Sequence, residues 1–449
     1  MVMVKSPMSI QTFAVEFVIC SLQTVLECIG AILEAVGSSF LLSGKMPIIP
    51  GNRKRVVIVG ASFAGCKTEQ ILARHGTVDI TLVDSRSYFE YVPGALRCFV
   101  DPSHFRRALS APLSILKSDT TTVVTATVTN VLAAKQQVVL HNGNYLDYNY
   151  LVLCAGSTYT EPIKPMASIT TLEERQIEWN AAAHKVAESQ TVVIVGAGAV
   201  GVELAGEILT VHPNITLYLF DMAPTVLPGF PSSSAQYATK WLQSRGAILR
   251  LSTSLKNIGL DNVELADRSV IQADIVFKCM GSPPNVGFLR KSDLRDALTG
   301  PKGAVEVNDH LQVLGHETIY CAGDMMYHAR SNEVKLGHTA EVNSHLCAGN
   351  ILRAASGMKP TLVYPNDVVG NSVTPFIYCV SLGKYDATLG FNGLVLNGPL
   401  FSIVKWVIEW SKVMAMQKKI IGVWFWLFGD FVANLLSRTV LQQNKKKVE

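Results

Sequence analysis

Between residues 53 and 324 the sequence alternates short aliphatic runs with longer stretches of mixed polarity. Val56-Val-Ile-Val59, Ile80-Thr-Leu-Val83, Val192-Val-Ile-Val195 and Ile215-Thr-Leu-Tyr-Leu219 are continuously apolar, without polar residues at every second position. Such runs suit strands covered on both faces, the condition of a parallel sheet flanked by helices, and the rhythm predicts an α/β fold. The two ends of the chain read differently. Met8 to Leu42 is largely apolar and carries Glu16, Gln23, Glu27 and Glu34, whose spacings of 7, 4 and 7 set them along one face of a helix. The tail mixes Trp406, Trp410, Trp424 and Trp426 with Lys405, Lys412, Lys418 and Lys419, as an interfacial helix does when its lysines reach lipid headgroups. Only ten residues separate Lys419 from Asp430, against the roughly 20 apolar residues needed to cross a bilayer. Both ends are therefore expected to be amphipathic helices lying on a surface, either lipid or the protein's own, and residues 47–53, with two prolines and a glycine, to be a linker.

Two of the strand-to-helix junctions carry the same glycine pattern. In Val59-Gly60-Ala61-Ser62-Phe-Ala-Gly65 the chain must turn tightly enough to present backbone N–H groups and a helix N-terminus to a pyrophosphate, and Gly60 and Gly65 leave the space. Ser62 stands where a further glycine is usual, with a side chain small enough to permit approach. The second strand of this module ends at Asp84, 24 residues beyond Gly60, where a carboxylate accepts hydrogen bonds from ribose hydroxyls. The second module is a full GxGxxG of Gly196, Gly198 and Gly201, and Asp221 follows Gly196 by 25 residues. One such loop is weak evidence. Two, 136 residues apart and each with its acid, predict two Rossmann-like dinucleotide-binding domains. Asp221 also discriminates, because a 2′-phosphate about 4 Å from it would cost about 4 kcal/mol per unit charge at an effective dielectric near 20. No Lys or Arg lies between Asp221 and Gln236 to offset this, so NADH is expected in preference to NADPH.

Further strands end in small-residue turns at Ala155-Gly156-Ser157 and at Gly281, with Pro284-Asn285 following, and another runs Glu317-Thr-Ile-Tyr-Cys-Ala-Gly323-Asp324. From about residue 53 to residue 390 the chain resembles the pyridine-nucleotide flavin reductase superfamily. Within it the chain is most similar to the apoptosis-inducing-factor-like group that includes ferroptosis suppressor protein, and next to the type II NADH dehydrogenases. Pro93-Gly-Ala-Leu-Arg97, Val307-Asn-Asp-His-Leu-Gln-Val313 and Ser381-Leu-Gly383 carry that likeness. The resemblance implies FAD on the first module, with Asp324 at its ribityl and phosphate part, Arg97 in contact with it and Val128 beside its adenine. It also implies Glu203 near the nicotinamide and flavin rings. A lysine that the group carries before its C-terminal strand has no counterpart in Asn371-Ser-Val-Thr-Pro375. The organisation that follows is an N-terminal helix and linker (1–50), an FAD domain in two parts (51–160 and 283–365) around an NAD domain (161–282), and C-terminal strands with a membrane-associating tail (366–449).

Some residues read two ways. His338 and Thr339 precede a helix whose N-terminus could stabilise reduced, anionic flavin; His338 could serve as an acid or base there, and Thr339 could be no more than a cap. Arg97 also reads as a surface cation, and Glu203 as the partner of a neighbouring cation.

Composition narrows the chemistry. Nine cysteines without CxxC or CxxxxC spacing argue against a redox-active disulfide and a zinc site, and no metal is expected. Of the net charge of +4, residues 405–449 contribute +5, eight Lys and Arg against three Asp and Glu. The folded body is thus near neutral, and nucleic acid is not an expected partner. Without a thiol pair, electrons delivered by NADH to FAD must leave the flavin directly. A quinone or another small acceptor at a membrane surface suits the apolar tail, on a cytoplasmic or mitochondrial membrane. A homodimer interface is the tail's other use. Three functions fit: an NADH:quinone-type oxidoreductase, an FAD- and NADH-binding redox sensor with slow turnover, and a soluble reductase of a small iron-sulfur protein.

Overall fold

The computed structural model describes residues 10–37, 53–331, 333–365, 377–391, 394–426 and 428. The sequence at 371–375 and the tail from 429 lie outside them. Helix α1 (Ile10–Gly37) precedes a five-stranded sheet built from β1 (Lys54–Val59), β2 (Val78–Asp84), β3 (Thr121–Thr125), β4 (Tyr150–Leu153) and a late strand, 319–321. A second sheet contains β5 (Thr191–Val195), β6 (Thr216–Phe220), β7 (Ile248–Arg250) and β8 (Ile275–Lys278). With β9 (Ile319–Cys321) the orders are β9-β4-β1-β2-β3 and β7-β6-β5-β8, every pairing parallel. In each sheet the first strand lies between the second and a later crossover, so its carboxyl end is a topological switch point where a ligand crevice forms. Their aliphatic runs are buried on both faces, Val56 to Val59 and Val192 to Val195 alike.

The helices follow from local signals. In α2 (Phe63–His75) the C-terminal turn closes on Gly76 in the left-handed region. Helix α3 (Leu172–Glu188) starts with a capping box of Thr171 and Glu174. It carries Arg175 into the interior, where the guanidinium donates to Glu90 at 3.0 Å and 3.1 Å, to Glu178 at 2.5 Å and to the Pro162 carbonyl at 2.9 Å. Helix α4 (Ala199–Val211) leaves the second glycine loop, and α5 (Ser232–Ser244) follows β6. Helix α6 (Gly337–Ala355) crosses α2 closely enough for the Ser344 hydroxyl to donate to the Ala64 carbonyl at 2.8 Å.

The C-terminal module is an antiparallel sheet of β10 (Ile377–Ser381), β11 (Ala387–Phe391) and β12 (Leu394–Asn397), followed by α7 (Leu400–Met416) and a helical stretch at 420–426. Its turn lies directly on α4. A Cβ at Gly206 would run into the Gly383 backbone, and one at Gly383 into Thr210. Helix α1 packs on this module through Leu26, which clusters with Trp410 and Ile421, while Glu16 accepts from Lys384 at 2.7 Å and from Tyr385 at 2.8 Å. Its other side leaves Phe17, Val18, Val25 and Ile29 exposed. Among the described residues no helix is long and apolar enough to cross a membrane.

One expectation is corrected here. Lys405 and Lys412 do not reach outward to lipid: Lys412 is 3% exposed, and both turn into the protein against buried carboxylates. The polar stripe of α7 is its inner face, because acids on α4 and α6 wait there for cations.

Arg175→Ala would strand Glu90 and Glu178 as unpaired buried carboxylates. The expected loss is about 3–5 kcal/mol of unfolding free energy, measured by denaturant titration of wild type and variant.

Candidate functional site

The two glycine loops are built alike. Gly60 and Gly196 take φ of +103° and +108°, and a Cβ on either would meet the carbonyl that ends the neighbouring strand, Cys154 in one sheet and Cys279 in the other. Gly65 and Gly201 pass so near the Gly60 and Gly196 carbonyls that a side chain has no room. The two acids are fixed by the same device. Asp84 accepts from the Ala61 N–H at 2.7 Å and the Arg86 N–H at 2.9 Å, and Asp221 from Ala197 at 2.6 Å and Ala223 at 2.7 Å. Each carboxylate is thus locked to the rim of its loop with acceptor capacity left over for ribose hydroxyls. Gly198 and Ser62 occupy the equivalent positions, and nothing in the protein lies within 4 Å of a Cβ at Gly198.

The connectors between the sheets run side by side. Ser157 bridges to Pro284, and Asn285 N–H donates to the Gly156 carbonyl at 2.9 Å. Gly156 and Gly281 both have positive φ. Asp324, in the turn after β9, accepts from the Ser157 hydroxyl at 2.6 Å, and Lys164 donates to that hydroxyl at 3.0 Å and to the Ser157 carbonyl at 2.6 Å. Burial lowers the Lys164 pKa, against the pull of Asp324. Gly323 has φ +77° and faces Ala64 and Ala340, which brings the start of α6 against the first glycine loop. The Thr339 hydroxyl, which is buried, takes the N–H of Leu336 at 3.0 Å and lies 2.9 Å from the carbonyls of Val334 and Leu336, so it closes the turn into α6. His338 is half-buried in the first turn of that helix. Val128 follows two residues after Ala126, whose N–H holds the Asp84 carbonyl at 2.8 Å.

Between these elements lies a set of buried charges. Arg97 donates to Glu207 of α4 at 2.9 Å, tying the 92–99 turn to the second domain. Burial works against its charge, but Glu207, together with Glu409 and Asp101 beyond it, raises the Arg97 pKa. Glu203, two residues after Gly201, receives the Ser381 N–H at 2.8 Å, the Ser381 hydroxyl at 3.1 Å and the Lys405 ammonium, all on Oε1. His104 Nε2 lies 2.9 Å from Glu409, whose side chain fills the space that Gly94 leaves open. Lys412 pairs with Glu341 of α6, and Trp426 donates to the other Glu341 oxygen at 3.0 Å. Lys164, Ser157, Lys405, Glu409, Lys412 and Glu341 had no assigned role in this site from sequence. A signal existed for three of them: Lys405, Glu409 and Lys412 fall at i, i+4 and i+7, one face of α7, distinct from the neighbouring stripe of exposed Leu400, Val404 and Ile408. All nine cysteines are free thiols, and the seven from Cys66 to Cys379 are held high in pKa by burial, including Cys379 at about 11.

Two parallel sheets with glycine-ended first strands, joined by paired connectors, define a two-dinucleotide oxidoreductase. Residues 54–343 match the pyridine nucleotide-disulphide oxidoreductase family, and the chain belongs to it. Among curated relatives it is 27% identical over 368 residues to ferroptosis suppressor protein 1 of Xenopus laevis, covering 78% of this chain and 92% of the relative. It is 25% identical over 380 residues to the protein of that name from Homo sapiens, covering 81% and 95%. Solved structures with the same fold include the sulfide:quinone oxidoreductase of Aquifex aeolicus, at TM-score 0.65 and 17% identity over 82% of this chain and 92% of that one. Another is the NADH complex of NDH2 from Plasmodium falciparum, at TM-score 0.65 and 11% identity over 84% and 98%. As a member of this family the chain binds FAD and a pyridine nucleotide, and the two cradles, opened by Gly60 and Gly65 beside the small Ser62 in one and by Gly196, Gly198 and Gly201 in the other, fit that pair.

Gly198→Ala adds a methyl group that meets no protein atom. The apo melting temperature is therefore expected to hold while the NADH dissociation constant rises about tenfold, roughly 1.4 kcal/mol, measured by thermal unfolding and by fluorescence titration.

Proposed function

We propose that this chain is an FAD-dependent NADH oxidoreductase that passes electrons from the flavin to a quinone-like acceptor at a membrane surface. The observation that carries this reading is the two-sidedness of α7. Its inner face sends Lys405 and Lys412 to acids on the helices that leave the nucleotide loop and the flavin turn. Its outer face exposes Leu400, Val404 and Ile408, beside a helix α1 that exposes Phe17 (64%), Val25 and Ile29 and near Trp424 (65%). Exposed apolar residues on adjoining helices suit a lipid surface, from which a hydrophobic acceptor can reach the flavin without crossing water.

When bound, FAD supplies the hydride-accepting ring and releases the electrons to the second substrate. The protein's part is position and charge. Asp84 and Asp221 hold the two adenosine riboses, and Asp221 disfavours a 2′-phosphate. Asp324, Ser157 and Lys164 would line the ribityl and phosphate part, Arg97 and Val128 would flank the first cofactor, and the N-terminal turn of α6, with His338 and Thr339, would bring the positive end of its helix toward the flavin. Glu203 would stand near the nicotinamide. With no two cysteines at CxxC or CxxxxC spacing the chain offers no such dithiol relay, and electrons leave from the ring itself. The likeness in fold to a sulfide:quinone oxidoreductase and to an NDH2 with NADH is in keeping with the reading.

The test is NADH and NADPH oxidation by detergent-purified, FAD-loaded protein with and without a short-chain ubiquinone. Rapid quinone-dependent turnover with NADH is expected; flavin that NADH reduces but quinone does not reoxidise would favour a slow-turnover sensor instead. Asp221→Asn removes the charge that opposes a 2′-phosphate, and is expected to raise the NADPH-to-NADH ratio of kcat/KM by about tenfold or more.

A further inference from the structure

The second glycine loop and the helix that leaves it contain no Lys or Arg from Gly196 to Val211, and none follows Asp221 as far as Gln236. The first module differs, since Arg86 stands just beyond Asp84 and ion-pairs with it at 3.5 Å. A dinucleotide carries negative charge on both phosphates, and in the second module the N-terminus of α4 meets it without a side-chain cation from that loop or helix.

A cation comes to this cradle from another part of the chain. One wall of the cradle is the end of β8: a Cβ at Gly196 would meet the Cys279 carbonyl at 2.4 Å and the Met280 side chain at 3.3 Å, and Met280, Gly281 and Ser282 are exposed. Against Gly281 lies the ammonium of Lys302, 2.8 Å from the point that a Cβ on that glycine would occupy. Among the described residues this ammonium has no hydrogen-bond or ion-pair partner. Its turn is firmly built. The Gly303 N–H donates to the Gly300 carbonyl at 2.9 Å and the Gly300 N–H to the Ala304 carbonyl at 3.0 Å. A Cβ at Gly300 would run into the Tyr327 side chain, and one at Gly303 would touch Val286 at 3.8 Å. Tyr327 follows closely on Asp324, so the half of the chain that carries the flavin turn also carries Lys302. The lysine itself sits at φ +56° and ψ +22°, the left-handed region that favours glycine. Strain of this kind gathers at binding sites.

We propose that Lys302 is a phosphate-contacting residue of the pyridine-nucleotide site, its ammonium pairing with the pyrophosphate across Gly281. The proposal rests on the reading that the second cradle holds that nucleotide. Strand order decides which part of the ligand the ammonium meets. In the order β7-β6-β5-β8, Asp221 follows β6 and Gly281 follows β8, with β5 and its glycine turn between them. Two strand spacings, roughly 10 Å, therefore separate the carboxylate from the cation. Asp221 takes the adenosine ribose and sets the choice between NADH and NADPH, while Lys302 acts on the phosphates past the glycine turn and is indifferent to that choice.

The experiment measures the dissociation constants of FAD-loaded protein for NAD+, NADP+ and ADP-ribose by ligand-induced thermal shift without any acceptor. It is run at low salt and at about 1 M salt, where the Debye length falls to about 3 Å. Lys302→Gln is expected to weaken NAD+ and ADP-ribose alike at low salt, by about fivefold, to leave the ratio of NAD+ to NADP+ affinity where it was, and to lose most of its effect at high salt. Lys302→Arg keeps the wild-type affinity. Lys302→Gly, which relaxes the backbone, is expected to bind as weakly as Lys302→Gln although its melting temperature without nucleotide is no lower than that of wild type. Unchanged NAD+ affinity in Lys302→Gln, a loss confined to NADP+, or a loss that Lys302→Arg shares overturns the proposal. Gly198→Ala then tells which claim has failed. If it still weakens NAD+, the second cradle holds the nucleotide and only the role of Lys302 is lost; if neither substitution changes NAD+ binding, the reading of the second cradle falls with it.

Discussion

Everything in this molecule depends on two places where a strand must become a helix with no side chain between them. At Gly60 and at Gly196 the backbone turns through positive φ against the carbonyl of the neighbouring strand, and five residues on a second glycine lets the helix start against the same turn. That geometry fixes the distance from β1 to α2 and from β5 to α4. It also directs unsatisfied helix N–H groups to the carboxyl ends of the sheets. The acids at Asp84 and Asp221 do not merely wait for a ligand. By accepting the loop N–H groups of Ala61 and Ala197 they brace the turns, so the carboxylates proposed to recognise ribose also hold the cradles in shape.

A second constraint is the cost of burying charge. Glu203, Glu207, Glu341 and Glu409 lie inside the protein and each meets Lys405, Arg97, Lys412 or His104. No element supplies both members of a pair. Arg97 and His104 come from the region between β2 and β3, Glu203 and Glu207 from the second domain, Glu341 from the returning half of the first, and the rest from α7. Because a lone buried charge is expensive, the set acts as a docking code. It can be satisfied only when both domains and the C-terminal module are assembled.

The parallel sheets and both nucleotide loops were legible in the sequence, because continuous aliphatic runs and glycines at fixed spacing are local signals. The partners of Arg97 and Glu203 were not. Arg97 finds Glu207 from 110 positions away and Glu203 finds Lys405 from 202, and pairing at such separation leaves no mark on periodicity. The tail misled for a physical reason. A stripe of lysines on an amphipathic helix reads as the wet face, which holds only when the facing surface is apolar. Here the facing surface holds carboxylates, so the lysine stripe turns inward and the apolar stripe outward. Helix α1 was legible only as a surface-seeking helix, and it uses one side on Trp410 and Ile421 while the other stays bare.

The two cradles, so alike in their turns, differ in what covers them. Over the first, α6 lies on α2 through Gly323, Ala340 and Ser344, and Gly337 packs against the Phe63 ring. The later half of the chain thus closes a loop that the earlier half made, and a side chain at Ser62 is tolerated inside it. Over the second, a Cβ at Gly198 would meet nothing, and α4 is gripped farther along, at Gly206, by the turn at Gly383. The first loop is thus overlaid by elements distant in sequence, whereas the second keeps open space at Gly198. That asymmetry is what a family pairing a resident FAD with an exchanging pyridine nucleotide requires.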